Sequence, residues 1–195
     1  MALTREAVVG AAVGILREFG LADLSMRRLA RDLNVQVGAL YWHVSNKQEL
    51  LVEVAAELLS SPALTAGTAA RPPAAAATWR GDILHLGSSL HTLLLPVPDS
   101  AEVVQVARVL APERLAPLTR MTETFTAAGL TPERAASAQS LVVNHVLGAV
   151  AEAQNRADFE ITGSATDYRW ALERALDGLL PPVAHDAGNG RAAGE

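Results

Sequence analysis

Residues 24 to 51 read LSMRRLARDLNVQVGALYWHVSNKQELL, and the punctuation of this stretch leaves few folds open. Ser25 stands where its side chain can accept from the first free backbone N–H groups of a helix. Leu29, Ala30 and Leu33 then recur at helical spacing as one inward stripe, with Arg27, Arg28, Arg31 and Asp32 on the outer faces. Asn34 tolerates the left-handed backbone that stops a helix in a tight turn. A second short helix follows, Gln36 to His43, with Leu40 as its inward anchor. Ser45 with Gln48 three residues later has the form of a capping box and opens a third helix, with Asn46 and Lys47 in its first turn. The spacing is that of a helix-turn-helix.

Anchoring by Leu40 leaves Gln36, Val37, Gly38, Ala39, Tyr41, Trp42 and His43 to meet something outside the lobe. A cation at Lys47 works against the helix macrodipole, which makes sense if it faces a phosphate. Lys47 is also the single lysine of the chain, against fifteen arginines. Arg27, Tyr41, His43 and Lys47 can donate to phosphates, which fix register without reading sequence. Gln36 can pair with an adenine edge, and Val37, Ala39 and the rings of Tyr41 or Trp42 can touch thymine methyls. Glycine costs a helix roughly 1 kcal/mol relative to alanine, so Gly38 implies that a DNA backbone or base comes too close there for a side chain. Arg28 and Arg31 read as a solvated face. The competing reading makes Tyr41 and Trp42 core aromatics of a small helical domain.

Gly38, Leu40, Tyr41, His43, Val44, Lys47 and Leu50 fall in the pattern of a known family, and residues 4 to 59 resemble the DNA-binding domain of the TetR family of bacterial repressors. The run LYWHVSNK is similar to the tetracycline-repressor branch, in which Trp precedes the His. The resemblance implies DNA contacts at Arg27, Gln36, Val37, Gly38, Tyr41, Trp42, His43 and Lys47.

The remaining chain reads as helices, giving an all-α class: an N-terminal three-helix head over residues 1–47, a C-terminal helical effector-binding and dimerisation domain over 48–183, and a small, polar, disordered tail over 184–195. The first helix is expected from Arg5 to Phe19, stopped by Gly20; the connecting helix from Asn46 to Ser60; further helices over Ala75–Leu95, Ser100–Val109, Pro112–Ala128, Thr131–Arg156 and Ala165–Leu180. Ala, Pro, Gly and Thr between residues 60 and 78 mark a linker. The net charge of −5 does not oppose nucleic acid, because residues 1–47 hold six Arg or Lys against four Asp or Glu.

The long helix from Thr131 carries a broad stripe with many small residues. Ala138, Leu141, Val142, Val146, Ala149 and Val150, with Trp170, Leu172 and Leu176 of the last helix, are candidates for a four-helix homodimer interface. An ordinary intrachain core is the other reading, and the resemblance favours the dimer because family members pair this way. It also implies a pocket for an unidentified small-molecule effector, with Trp79, His85, Ser88, His91, Gln105, Met121, Phe125, Asn144 and His145 as candidate linings. Tetracycline repressors hold a magnesium-bound drug through a histidine where Val104 stands here, so that ligand is not expected; Glu152 falls near that branch's metal-associated carboxylate.

Several classes are set aside. No cysteine, glycine-rich phosphate loop, GxSxG or HExxH occurs, so neither an enzyme nor a thiolate metal site is expected, nor a cofactor. No apolar run approaches the roughly 18 residues of a membrane span, and a cytoplasmic chain is expected. The sequence-level expectation is a regulator that binds double-stranded operator DNA as a homodimer and releases it when an effector binds. An effector-independent DNA-coating protein is the alternative.

Overall fold

The computed structural model describes residues 3–65, 78–162 and 167–179. Ten α-helices and one 3-10 turn occur among them, and no strand. The tail from residue 184 and most of the linker lie outside the described residues.

Helix α1 (Arg5–Asp23) is capped by Thr4, whose hydroxyl accepts from Ala7 N. Val8, Ala12, Ile15 and Leu16 form its buried face. Helical geometry breaks at Gly20 (φ 75°, ψ −177°), where the stop was expected, and one further turn runs to Asp23. Phe19, where the first helix was expected to end, is 43% exposed, and the Arg28 guanidinium lies 4.3 Å from its ring centroid. Helices α2 (Met26–Asp32) and α3 (Val37–Leu40) follow, then α4 (Lys47–Leu58) and a short α5 (Pro62–Thr65) inside the expected linker.

The body comprises α6 (Thr78–Leu94), α7 (Ser100–Leu110), a 3-10 turn (Pro112–Arg114), α8 (Ala116–Ala127), α9 (Pro132–Asp158) and α10 (Tyr168–Asp177). The helix expected from Pro112 is thus divided. Arg114 N bonds to Ala111 O and Leu115 N to Pro112 O, closing a tight turn before Ala116–Pro117 starts α8 with proline in its first turn. Helix α9 runs two residues past its expected end, then closes through Glu160 in the left-handed region (φ 52°).

Helix α4 packs along both α1 and α7, α9 packs against α6 and α8, and α10 lies over α6 and α9. The buried side chains form one continuous core from Val8 to Leu176. A Cβ added to Gly87 of α6 would sit 3.0 Å from Leu172 Cδ2, so α10 approaches α6 at a position where only a hydrogen fits comfortably.

This packing changes the expected dimer set. Ala138, Val142, Val146, Val150, Leu172 and Leu176 are buried within the single chain, where α9 packs against α6, α8 and α10, with Val142, Val146 and Leu172 facing Gly87 of α6. Leu141 and Trp170 remain exposed, at 46% and 62%, and Ala149 is half-buried. The apolar stripe of α9 is wide enough to serve an internal face and leave an outer one.

Candidate nucleic-acid interface and cavities

Ser25 caps α2, accepting from Arg28 N at 3.2 Å. Asn34 takes the left-handed conformation (φ 52°), and Val35 N reaches back to Ala30 O at 2.9 Å. These two devices set the angle between α2 and α3. Leu40 is fully buried; burying a leucine side chain is worth about 1.5–3 kcal/mol. Helix α3 is shorter than expected. Gln36 is its N-cap without a capping side-chain bond, and Tyr41–His43 form a turn after Leu40, closed by His43 N and Val44 N on Leu40 O.

Tyr41 is 50% and Trp42 89% exposed. That excludes the core-aromatic reading, since the lobe is sealed by Leu29, Leu40, Val44 and Leu50 instead. Arg27, Gln36, Gly38 and Lys47 are also exposed, while Val37, Ala39 and His43 are half-buried. Nothing lies within 4 Å of a Cβ placed on Gly38, so the space over it is open to an incoming surface. Arg28 is occupied: it pairs with Asp32 at 3.2 Å and Asp23 at 3.4 Å.

The cap of α4 sits one residue later than expected. Asn46 Oδ1 accepts from Glu49 N at 2.8 Å, and the Glu49 carboxylate accepts from Ser45 N at 2.8 Å and from Ser45 Oγ. The bonds from Ser45 hold the Glu49 carboxyl below the usual carboxylate range, and Arg5 at 2.8 Å adds to this. The overlapping Asn46-x-x-Glu49 pattern was present in the sequence beside Ser45-x-x-Gln48; glutamate is the stronger acceptor. A brace thus fixes the segment that follows the exposed Tyr-Trp-His.

The expected pocket residues are not gathered in one place. His91, Asn144 and His145 line a cavity of about 620 Å³ with Glu152, Arg156 and Tyr168. There His91 stacks on Tyr168 (4.0 Å, 10°), and His145 Nε2 donates to Tyr168 O at 2.7 Å. Burial pushes the His91 imidazole pKa down. Ser88 lines another cavity of about 560 Å³ with Ser89, Leu93 and Arg17. Met121 and Phe125 are sealed in the core, with Trp79 against Phe125. His85 and Gln105 are exposed, and Val104 is fully buried.

A third cavity, about 740 Å³, lies between the end of α7, the 3-10 turn, α8 and α9. Its wall includes Arg108, which the sequence reading did not single out. No group of His, Asp or Glu among the described residues is arranged to hold a metal ion, and no described helix is long and apolar enough to cross a membrane.

Comparison with known proteins agrees with this geometry. Residues 8–54 match the sequence model described as bacterial regulatory proteins, tetR family, and residues 71–184 match the tetracyclin repressor-like C-terminal domain. The class D tetracycline repressor protein of Escherichia coli is 33% identical over 187 residues, covering 95% of this chain and 78% of that one. An HTH-type transcriptional regulator of Saccharopolyspora erythraea is 32% identical over 148 residues, and that alignment covers 76% of this chain and 60% of the relative's length. Among solved structures, BioQ with its double-stranded DNA operator superposes with a TM-score of 0.76 at 34% identity, covering 91% of this chain and 98% of that one. The TetR family protein ActR of Streptomyces coelicolor in complex with (S)-DNPA gives 0.74 at 28% identity, covering 92% and 98%. Two family models that together take in the head and the body, and a relative matched over nearly the whole chain, place this protein in the TetR family of bacterial regulatory proteins.

Proposed function

We propose that this protein is a homodimeric, cytoplasmic repressor that binds a specific DNA operator through the α2–α3 lobe and is released from it by a small-molecule effector. The observation that carries the reading is Trp42, 89% exposed beside a half-exposed Tyr41 on a lobe whose own core is already filled. Large aromatics left in water on a helix-turn-helix have a use once a duplex covers them. Arg27, Tyr41, His43 and Lys47 position the lobe on phosphates, while Gln36, Val37, Ala39 and Trp42 meet base edges over the gap left by Gly38.

The operator complex of BioQ and the ligand complex of ActR support both halves of this reading for a chain of the same family. Residues 1–47 act as the head and 48–183 as the sensing and pairing body. Leu141, Ala149 and Trp170 supply the outer, partner-facing side of α9 and α10. Two heads then meet half-sites about one helical turn apart. An effector with higher affinity for one arrangement of the body shifts the pair away from operator spacing.

The test is fluorescence anisotropy with the protein's own upstream DNA and a scrambled duplex, at two salt concentrations. A specificity ratio of about a thousandfold or more is expected; equal affinity for both duplexes would overturn sequence-specific repression.

A further inference from the structure

Several arginines that reach into packed parts of this molecule meet carboxylates: Arg5 meets Glu49 and Glu53, Arg28 meets Asp23 and Asp32, Arg80 meets Asp177 and Arg114 meets Glu53. Arg108 does not. It leaves the last turn of α7 and crosses to α9, where its Nη1 donates to Gln105 Oε1 at 2.9 Å and to Asn144 Oδ1 at 2.7 Å. Its Nη2 reaches Ser140 Oγ only at 3.4 Å. All three acceptors are neutral, and Arg108 forms no ion pair with any described residue. Partial burial without an anion lowers its pKa, the mark of a cation whose lost hydration has not been replaced by charge.

The unused donors have a geometry of their own. With Nη1 engaged twice, Nε–H makes no bond to a described residue and Nη2 is held weakly. The Nε–Nη2 edge is a fork that matches the two oxygens of a carboxylate through parallel bonds. Gln105, Asn144 and Ser140 fix the guanidinium plane, so the fork is oriented before a ligand arrives. Arg108 also lines the cavity of about 740 Å³, within the range of roughly 300–1,000 Å³ for small-molecule sites.

We infer that this cavity binds an organic carboxylate, its carboxyl group seated on Arg108 and its body lying between α8 and α9. Leu118 and Ala136 supply apolar wall, while Glu113 and Glu123 line the same cavity as exposed acids. These acceptors favour a hydroxyl or amino substituent on the part of the acid away from Arg108. The inference rests on the effector-responsive reading above and names the chemical class of that effector.

The test uses the full-length protein without DNA, by isothermal titration and thermal shift. The probes are salicylate and 4-aminobenzoate, each beside its neutral primary amide. Both acids should bind and raise the melting temperature, with each amide weaker by about tenfold or more. Arg108→Gln should lose the acids by a similar factor, and Arg108→Lys should fall between. Asn144→Asp, which sets a carboxylate against the guanidinium at nearly unchanged shape, should weaken acid binding even if Arg108→Gln fails to fold. Acid and amide binding alike, Asn144→Asp binding the acids as wild type does, or neither acid binding at millimolar concentration would each overturn the inference. Operator binding by the ligand-free protein, measured in parallel, reports separately on the repressor reading.

Discussion

Glu53 Oε1 stands 2.6 Å from Arg114 Nη2 and 2.9 Å from Arg5 Nη2, so one carboxylate on α4 joins α1 of the head to the 3-10 turn of the body. Arg5 also holds Glu49, which holds Ser45. The chain of charge therefore runs from Pro112–Arg114, where Pro112 and Glu113 line the Arg108 cavity, to the segment just after Tyr41–His43. The Glu53 side chain is only 12% exposed. Glu53→Gln removes the charge from both pairs and should cost about 2 kcal/mol in urea unfolding. Arg114→Met, losing a side chain that is 48% exposed, should cost about 1 kcal/mol or less. Equal losses for the two variants would contradict this ranking.

A second contact joins the same two regions. Leu21 N donates to Asp99 Oδ2 at 2.7 Å, just after the break at Gly20, and Asp99 itself is left-handed (φ 55°). A Cβ on Gly20 would lie 2.7 Å from that same oxygen, at a φ of 75°. Gly20→Ala thus combines backbone strain with a collision and should destabilise by about 2 kcal/mol or more. Asp99→Asn keeps an acceptor and a residue that tolerates the left-handed region; Asp99→Ala keeps neither. Chemical denaturation should rank the losses Gly20→Ala and Asp99→Ala above Asp99→Asn, and a silent Gly20→Ala would refute the close approach.

For the DNA-facing residues the expected pattern is a separation of stability from binding. Trp42→Ala should leave the unfolding free energy within about 0.5 kcal/mol of wild type, as for an exposed side chain, yet weaken operator binding. Lys47→Ala and Arg27→Ala should each reduce the slope of log affinity against log salt by about one unit. Tyr41→Ala should instead relax preference between operator and scrambled duplex. Loss of fold stability in Trp42→Ala would return that ring to the core.

Glu49 gives stability a pH signature. Its folded-state pKa is depressed, chiefly by the Ser45 hydroxyl and amide and then by Arg5, while the unfolded chain keeps an ordinary value near about 4.3. The unfolded state binds the proton more readily, so the contribution is complete above about pH 5 and fades as pH falls through the depressed value. Unfolding followed by circular dichroism should show wild type losing stability faster than Glu49→Gln on acidification, and parallel curves would rule the brace out.

Local signals carried much of this. Ser25, Asn34 and Gly20 act within one turn of chain, by capping or by a permitted φ, so their consequences can be read without knowing any distant residue. The exposure of Tyr41 and Trp42 followed from Leu40 alone, because a helix this short has one inward position. The cap of α4 was legible only as two overlapping patterns, and the stronger acceptor took it. Across α9 the same periodic stripe fitted an internal core and a partner surface; the position of α6 and α10 decided that Val142 and Val146 face inward while Leu141 faces out.

Sequence by itself determined the helical class, the angled pair of short helices and the residues presented at its tip, since each depends on interactions spanning a few positions. Tertiary structure alone decided which arginines find carboxylates far along the chain. Arg5, Glu53 and Arg114 lie 48 and 61 residues apart along the chain, and nothing in their neighbours announces the meeting. Arg108 is singled out by the reverse: every arginine looks alike in a string of letters, and only the packing of α7 on α9 shows one held by neutral oxygens with its fork unfilled.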